Sequence, residues 1–295
     1  MKNLLKHKNL IKNVVFLLIF ALLGISITKN LTEIYAVSSS KQAICVPIIM
    51  YHQVINNRFG KDVISPLEFE SDLKFLQKSN YNTITMSDLI DYVYSDKELP
   101  QNPIILSFDD GYLSTYKYVY PLLKTYNMKI VLSIVGKSTD DFSKVHDENI
   151  NYSHLTWTQI NEMAESGLVE IQNHTYNMHK VINGRYGSGQ KKNESLSQYE
   201  QMLTEDVTKF QSQTEHMTGI IPNTFTYPYG KYNNNSEQIL KKLGYKATLS
   251  CQYGINLISK DPDKLFGLKR MCRAHNHDLG KLIKEGMETL KYVKE

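Results

Sequence analysis

The sequence predicts an α/β fold in which parallel strands form a barrel. Short apolar segments typical of buried strands alternate with amphipathic segments typical of helices along most of the 295 residues. Repeated strand–helix units imply parallel strands joined by right-handed crossovers. Seven or eight such units in a chain of this length favour a barrel over an open sheet. In addition, unusual polar residues follow the carboxyl ends of several predicted strands.

The first half of the chain supplies four of the predicted strands. Pro66 opens a helix at its first position, and Phe69 and Leu73 lie on one face of that helix. A second helix is expected to begin with Ser87 as its N-cap, and a third covers residues 116–123. The predicted strands are residues 46–50, 83–86, 103–108 and 129–135.

The second half continues the same alternation. The helix predicted for residues 156–166 stops at Gly167, and the long helix over residues 197–217 ends at Gly219. The remaining elements are strands at 168–172, 223–227, 247–250 and 265–271 and helices at 236–243 and 279–293.

Two long connections, residues 136–155 and 180–196, interrupt this pattern. Loops of such length usually carry function or move. The second is polar and contains Gly184, Gly187 and Gly189, so we expect it to be mobile.

The positive charge of the chain is confined to its first residues. The whole sequence has 34 Lys+Arg and 30 Asp+Glu, but residues 1–36 hold five of the lysines and one of the acids. The remainder therefore has no net charge. Because phosphate binding needs a clustered positive field, we expect no nucleic-acid partner.

The N-terminus has the pattern of an export segment. A lysine-rich stretch precedes 14 residues, 14–27, in which only Gly24 and Ser26 interrupt the apolar run. This run is short for a membrane span of about 20 residues but suits the core of a signal peptide. We expect residues 1–36 to be a signal peptide or an N-terminal membrane anchor. Residues 37–295 would then work outside the cytoplasm, secreted or anchored to the outer face of the membrane.

The three cysteines, Cys45, Cys251 and Cys272, show no spacing typical of a disulfide framework or a cysteine-based zinc site. Cys45 and Cys251 lie in apolar, strand-like stretches. We expect both to be small buried residues.

Polar side chains at predicted strand ends mark the candidate site. His52, Asp109 and Asp110, His174, and Tyr229 each follow the carboxyl end of a strand, and that edge carries the active site in α/β barrels. Asp-Asp-Gly alone suits a turn. Likewise, the spacing of five between His174 and His179 differs from that of a helical zinc motif.

Together, one carboxylate and two imidazoles suit Zn²⁺ or a similar divalent ion with an open position for water. The second carboxylate would then serve as a general base.

These residues resemble the motifs of the NodB-like polysaccharide deacetylases. Ser-Phe-Asp-Asp-Gly at 107–111 is similar to the family's Thr-Phe-Asp-Asp-Gly, and 174–179 is similar to its second motif with one extra residue between the histidines. Residues 225–230 resemble the third motif, except that Tyr227 precedes Pro228 and the usual Arg is missing. The resemblance covers residues 45–273 and implies a distorted (β/α)7 barrel.

The missing Arg, the wide histidine spacing and the position of His52 resemble one branch, the secreted poly-N-acetylglucosamine deacetylases of biofilm systems. In that branch, a histidine from near the N-terminus replaces the one in the usual C-terminal motif, so the site is circularly permuted. The substrate implied is an N-acetylated amino-sugar polysaccharide. Peptidoglycan, or another amide, is the alternative substrate, and a non-catalytic carbohydrate-binding protein is the alternative function.

The resemblance also implies a role for each site residue. The implied metal ligands are Asp110, His174 and His179. Asp109 would be the base that deprotonates the attacking water, and the backbone N–H of Tyr229 would donate to the oxyanion. His52 would protonate the departing amine. The implied cofactor is a divalent metal ion, with Zn²⁺ expected first and Co²⁺, Ni²⁺ or Fe²⁺ as alternatives.

Four further residues have alternative interpretations. His275 and His277 are expected in a solvated loop, although either could replace His52 as the acid. Arg270 is a candidate to supply the charge missing from the third motif and to orient Asp109. Trp157 is expected to pack in the core rather than bind sugar. We expect a monomer that contacts the membrane only through its N-terminal segment.

Overall fold

A computed structural model describes residues 43–145 and 147–290. The export segment expected at residues 1–36 lies outside these ranges. Within the ranges described, no helix has the length and apolar character required to cross a membrane.

The described residues alternate between strands and helices, with a π-helical turn at Thr115–Val119 and two short 3-10 turns at Pro228–Gly230 and Pro262–Leu265. The strands are β1 (Ile44–Val46), β2 (Ile48–Tyr51), β3 (Gln53–Val54), β4 (Val63–Ile64), β5 (Asn82–Thr83), β6 (Pro103–Phe108), β7 (Ile130–Ile134), β8 (Val169–Asn173), β9 (Val181–Ile182), β10 (Arg185–Tyr186), β11 (Thr224–Thr226), β12 (Ala247–Leu249), β13 (Asn256–Ile258) and β14 (Met271–Cys272). The helices are α1 (Pro66–Lys78), α2 (Met86–Ser95), α3 (Tyr120–Tyr126), α4 (Gly136–Lys144), α5 (Trp157–Glu165), α6 (Leu196–Thr218), α7 (Asn234–Lys242) and α8 (Leu279–Thr289).

The main sheet contains eight of these strands. Seven follow the order β12-β11-β8-β7-β6-β2-β14, and β5 pairs with the start of β6. Every neighbouring pair in this sheet is parallel. The sheet curls, and a parallel bridge between Leu249 and Leu268 links its two ends. The prediction of a distorted (β/α)7 barrel is confirmed.

The barrel wall is apolar because its strands are buried on both faces, as is usual for parallel sheets. All six residues of β6 and all five of β7 are buried. The helices cover the outside with apolar faces such as Phe69 and Leu73 of α1, both fully buried. Trp157 is 3% exposed and its indole N–H donates to Asp140 at 2.8 Å, so the prediction of core packing is confirmed.

The N-cap predicted at Ser87 is wrong. The helix begins at Met86, because the side chain of Thr85 accepts a hydrogen bond from the Asp88 N–H and the Asp88 carboxylate accepts one from the Thr85 N–H. This reciprocal pair satisfies two of the otherwise free N–H groups at the helix start.

The two long connections contain secondary structure that the sequence did not predict. Residues 136–155 contain α4, so the prediction of a loop is wrong for that part. Residues 180–196 contain the antiparallel hairpin β9–β10, which is held by an ion pair between Arg185 and Glu194. Gly187 packs so closely on Pro228 that a Cβ there would lie 2.7 Å from the Pro228 Cβ. This connection therefore contains a hairpin docked against the turn of the third motif, and its mobility stays a prediction.

The strand predicted at 265–271 is shorter and shifted. Pro262–Leu265 forms a 3-10 turn, Leu268 makes a single bridge to β12, and the strand itself is Met271–Cys272. The segment changes partner along its length, from β12 to β2, and so forms no continuous ladder with either.

Candidate active site

A cleft of about 250 Å³ lies at the carboxyl ends of the barrel strands. Most of the described residues that line it are polar or titratable. They are His52, Gln53, Asp62, Val63, Asp109, Asp110, Tyr112, His174, His179, Tyr229 and Cys251. All six site residues predicted from the sequence line this one cleft, although they come from five separate places in the chain.

Asp109 and Asp110, the two adjacent acids after β6, have different partners. Asp109 accepts two hydrogen bonds from Arg270, at 2.7 Å from Nη1 and 2.9 Å from Nη2. Asp110 has a φ of +71°, a left-handed conformation that turns its side chain to another part of the cleft. Gly111 follows with a φ of +75° and lies against Ile134, where a Cβ would be 3.0 Å from its Cγ2. The Asp-Asp-Gly turn thus gives two adjacent carboxylates different partners.

Asp110 lies opposite the two histidines of the second motif. Its Oδ1 is 3.4 Å from His174 Nε2 and 3.1 Å from His179 Nε2. The three ligand atoms all lie within 4.8 Å of one another. Asp110 Oδ1 is buried and has no hydrogen-bond partner among the described residues. A buried carboxylate oxygen without a hydrogen-bond partner destabilises the folded protein unless a cation or a hydrogen-bond donor interacts with it.

A turn lies between His174 and His179. Asn173 Oδ1 accepts from the Thr175 N–H at 2.6 Å, and Thr175 Oγ1 accepts from the Met178 N–H at 3.1 Å. Thr175 has a φ of +78°, which reverses the chain just after β8. The two imidazole rings are consequently only 4.7 Å apart between centroids.

The His174 ring is oriented by its second nitrogen. Nδ1 lies 2.8 Å from the backbone oxygen of Thr226, which only accepts, so Nδ1 carries the proton. In the neutral ring, Nε2 then directs a lone pair at Asp110. Metal-binding histidines usually have this arrangement, with the far nitrogen donating to a carbonyl or carboxylate. The Asp110, His174 and His179 side chains therefore fit a divalent cation on donor chemistry and on orientation.

Both carboxylates favour the charged form despite their burial. Burial raises the pKa of the Asp109 carboxyl, but the Arg270 guanidinium lowers that pKa by more. The resulting pKa therefore lies below the usual range of an aspartate. Burial also raises the pKa of Asp110, while His174 and then His179 lower it more, leaving it well below its usual range. For His179, burial and the neighbouring His174 lower the pKa, so the neutral, ligating form is favoured.

His52 lies beside Asp109, with Nε2 3.9 Å from Asp109 Oδ2. Its other nitrogen, Nδ1, faces Asp62 Oδ1 at 3.8 Å. His52 thus borders the same cleft as Asp110. It does not belong to the group of three possible metal ligands formed by Asp110, His174 and His179. This is the position that the general-acid hypothesis requires.

His275 and His277 lie elsewhere, and the described residues that line the cleft include neither of them. His275 Nδ1 is 2.8 Å from Glu68 Oε2, and its ring stacks on Phe59 with centroids 4.4 Å apart. His277 Nε2 pairs with Glu285 at 3.2 Å. Both side chains are engaged at the surface, so His52 is better placed than either to act on a substrate in the cleft.

Arg270 contacts Asp109 as the sequence hypothesis required. It is 1% exposed, and besides Asp109 it donates to the Ser250 backbone oxygen at 2.8 Å and to Ser107 Oγ at 3.0 Å. Bidentate pairing of this kind fixes both the charge and the orientation of a carboxylate. An arginine from the segment before β14 thus pairs with the Asp109 carboxylate.

Comparison with known proteins decides the family. A family model described as polysaccharide deacetylase matches residues 96–248, more than half of the chain. The chain belongs to the polysaccharide deacetylase family.

Several relatives in this family carry a more specific name. The poly-beta-1,6-N-acetyl-D-glucosamine N-deacetylase of Escherichia coli K12 is 27% identical over 223 residues, which are 70% of this chain and 33% of that protein. The enzyme of the same name from Staphylococcus aureus MRSA252 is 27% identical over 203 residues, 67% of this chain and 62% of that one. The matched region is therefore about a third of the first relative and less than two thirds of the second.

Solved structures share the fold. A de-N-acetylase from Aggregatibacter actinomycetemcomitans superposes with a TM-score of 0.71 and 25% identity, over 82% of this chain and 99% of that one. The BpsB deacetylase domain from Bordetella bronchiseptica gives 0.63 and 27%, over 78% and 96%. IcaB from Ammonifex degensii gives 0.66 and 22%, over 83% and 97%. The polysaccharide deacetylase fold thus accounts for most of the described chain.

Five of the described residues that line this cleft were not among the predicted site residues: Gln53, Asp62, Val63, Tyr112 and Cys251. Tyr112 follows the Asp-Asp-Gly motif, which was a usable signal, and burial together with Asp110 raises its pKa to about 12. Asp62 gave no signal, because it lies in a polar stretch without a motif. Cys251, expected to be buried, is exposed at the cleft because β12 ends at Leu249 and the chain has already left the barrel wall.

Proposed function

We propose that this polysaccharide deacetylase is a metal-dependent hydrolase that removes N-acetyl groups from poly-N-acetylglucosamine. The observation that carries the proposal is the cleft itself, where Asp109, the trio of Asp110, His174 and His179, and His52 meet. The names of the E. coli and S. aureus relatives support the choice of polymer. Because the matched region is only part of each relative, substrate and activity are proposed for this chain.

The metal is held, in this proposal, by Asp110, His174 and His179. The buried Asp110 oxygen without a partner and the outward-donating Nδ1 of His174 favour a cation at this place. Zn²⁺ suits two imidazoles and one carboxylate, and Co²⁺, Ni²⁺ or Fe²⁺ suit the same donors. A divalent ion bound there would polarise the acetamide carbonyl and lower the pKa of a water molecule.

Asp109 acts as the base that takes a proton from the attacking water. Its pairing with Arg270 keeps the carboxylate ionised and aims it across the cleft. Water adds to the acetamide carbon, and negative charge develops on the carbonyl oxygen. The backbone N–H of Tyr229 is the proposed donor to that oxygen, in a turn where Tyr229 has a φ of +56°.

His52 supplies the proton that the sugar nitrogen needs to leave as an amine. Its Nε2 faces Asp109 at 3.9 Å, so the acid and the base border the same reacting group. The Asp62 carboxylate lies 3.8 Å from the other ring nitrogen, Nδ1. The carbon–nitrogen bond then breaks, with acetate and the free amino sugar as products.

The substrate proposal is tested by measuring acetate release from β-1,6-linked N-acetylglucosamine oligomers and from peptidoglycan fragments, in parallel and with defined metals. We expect release from the β-1,6-linked oligomers. Release only from the peptidoglycan fragments would assign the enzyme to that polymer. Binding of oligomers without acetate from either substrate would indicate a carbohydrate-binding protein.

The location is also a proposal, and it rests on the lysine-rich and apolar pattern of residues 1–36. The enzyme works outside the cytoplasm, secreted or held at the outer face of the membrane by that segment, and as a monomer. Cell fractionation tests the location. Recovery of the full-length chain as a soluble cytoplasmic protein would refute it.

A further inference from the structure

A second group of metal-binding side chains lies on the far side of His52 from Asp109. It consists of His52, Asp62 and Cys272, whose ligand atoms all lie within 4.8 Å of one another. Asp62 Oδ1 is 3.8 Å from His52 Nδ1 and 3.5 Å from Cys272 Sγ. This group shares no residue with Asp110, His174 and His179.

The backbone holds these three residues together. Asp62 lies just before β4, and its backbone oxygen accepts from the N–H of Gln53, the neighbour of His52, at 3.1 Å. Cys272 is opposite Met50 in the parallel pairing of β14 with β2. A backbone hydrogen bond therefore holds Asp62, and strand pairing holds Cys272, in place beside His52.

The donor atoms make only weak contacts, among them a hydrogen bond of 3.5 Å from the Cys272 thiol to Asp62 Oδ1. His52 Nδ1 is buried and has no hydrogen-bond partner among the described residues. The Cys272 thiol donates to the Lys61 backbone oxygen at 3.3 Å, a weak contact, and the Asp62 side chain is 55% exposed, which leaves a path from solvent.

An imidazole and a thiolate beside a carboxylate suit Zn²⁺, whereas Mg²⁺ and Ca²⁺ prefer oxygen ligands alone. Zinc bond lengths of roughly 2.0–2.3 Å put such ligands about 3.3–3.8 Å apart, close to the separations seen here.

We propose that His52, Asp62 and Cys272 bind a second Zn²⁺ ion that inhibits the enzyme. The inhibition rests on the proposed function, whereas the binding does not. The ion forms bonds to His52 Nδ1, Asp62 Oδ1 and Cys272 Sγ, and the protons of the thiol and of Nδ1 pass to water. His52 keeps a proton on Nε2 but can no longer exist as the imidazolium. Its capacity to protonate a leaving amine is thereby lost.

The site is tested first by binding of Co²⁺ to the full chain under reducing conditions. Cobalt bound by the second group has a thiolate ligand and gives a sulfur-to-cobalt charge-transfer absorption, whereas cobalt bound by Asp110, His174 and His179 has none. We expect this absorption to appear with the second equivalent of Co²⁺ and to be lost in Cys272→Ser. Cys251→Ser is the matched control, because Cys251 also lies at the cleft, and it should keep the absorption.

Absorption that persists in Cys272→Ser, or that vanishes in Cys251→Ser, would overturn the assignment. Because the wild-type titration must itself show the absorption, its absence there would overturn the site even if a variant failed to fold.

The inhibitory effect is tested by acetate release over increasing Zn²⁺. We expect the second equivalent to suppress activity in the wild type, and Cys272→Ser to need roughly 10–100-fold more zinc, since losing even an outer-shell partner has that effect on affinity. Undiminished activity with the second ion bound would overturn the inhibitory role. An enzyme that releases no acetate with any metal would contradict the proposed function, and the cobalt absorption would still decide the site.

Discussion

Asp109 and Asp110 are neighbours in sequence, but their side chains have different electrostatic partners. Asp109 is fixed by two hydrogen bonds from Arg270, and Asp110 lies 3.1 Å from His179. The division depends on the left-handed backbone of Asp110, with its φ of +71°. A metal ligand and a general base can therefore arise from consecutive residues.

This division predicts different outcomes for the two amide substitutions. Asp109→Asn should retain the metal and lose roughly 10²–10⁴-fold in turnover, because it removes the base but none of the ligands. Asp110→Asn should lose most of the bound metal together with the activity. Metal content and acetate release, measured on the same preparations, check both outcomes. Equal metal loss in the two variants would show that the roles are wrongly divided.

His52→Ala should keep the metal and lose roughly 10²–10⁴-fold in turnover, the usual contribution of a general acid. The loss should shrink on an activated ester, whose leaving group needs no proton. His275→Ala is the matched control, since that histidine is bonded to Glu68 and lies outside the cleft lining, and its turnover should stay near that of the wild type. If His275→Ala shows the larger loss, the acid has been assigned to the wrong histidine.

The residues predicted from sequence were those that stand at strand ends within recognisable motifs, as Asp110 and His174 do. Arg270 could be proposed only as a hypothesis, because its partner Asp109 is 161 positions away in the chain. Asp62 could not be found, since its contact with His52 depends on a loop without a motif.

At the scale of elements, the segment from Leu268 to Arg273 both closes the barrel and completes the site. Leu268 bridges to β12, and the Arg273 N–H donates to the Met50 backbone oxygen at 2.9 Å. Arg270 lies between these two points and donates to Ser250, Ser107 and Asp109. Closure of the sheet and orientation of the base therefore depend on the same short segment.

Arg270→Met should destabilise the fold by about 3–5 kcal/mol, because it leaves the Asp109 carboxylate buried and unpaired. The double variant Arg270→Met with Asp109→Asn should be destabilised less, since no uncompensated charge remains. Free energies of unfolding from denaturant titrations measure the difference. A double variant that is less stable than Arg270→Met alone would contradict the ion-pair account.

The turn of the third motif is held by close packing. Tyr229 and Gly230 both have positive φ values, of +56° and +62°. A Cβ on Gly230 would lie 2.6 Å from the Cβ of Cys251 and 3.0 Å from its backbone nitrogen. Only glycine fits this position without displacing the turn that carries the proposed oxyanion donor.

Gly230→Ala should therefore lower both stability and turnover. Gly219→Ala is the matched control, because Gly219 has a φ of +70° but open space around it. The control should cost about 1–2 kcal/mol for the left-handed backbone, and Gly230→Ala should cost clearly more. Thermal or denaturant unfolding and acetate release check the pair. Equal losses at the two glycines would show that the contact with Cys251 is unimportant.

The secondary structure was predicted wrongly where contacts with other elements, rather than the composition of the segment itself, determine it. Residues 136–144 contain few apolar side chains, so the sequence predicted a loop, yet they form α4. The start of that helix packs so tightly that a Cβ on Gly136 would meet Tyr176 at 2.9 Å and Phe210 at 3.1 Å. Contacts of this kind depend on other elements and cannot be seen in the segment itself.

At the scale of the molecule, the barrel brings together polar groups that lie as far apart in sequence as His52 and Arg270. The alternating pattern was enough to predict parallel strands and a site at their carboxyl ends. The same pattern could not predict which strands lie next to each other in the sheet. That β2 lies between β6 and β14 follows from long-range pairing, and this order puts His52 beside Asp109.

We propose that the cleft is a metal-dependent N-deacetylase site. Acetate release from a β-1,6-linked N-acetylglucosamine oligomer, by protein stripped of metal and then reconstituted with one equivalent of Zn²⁺ or Co²⁺, tests it most directly. We expect little acetate from the stripped protein, restored release with one equivalent, and no restoration in Asp110→Asn. Undiminished acetate release from the stripped protein, or none from the reconstituted wild type, would contradict it.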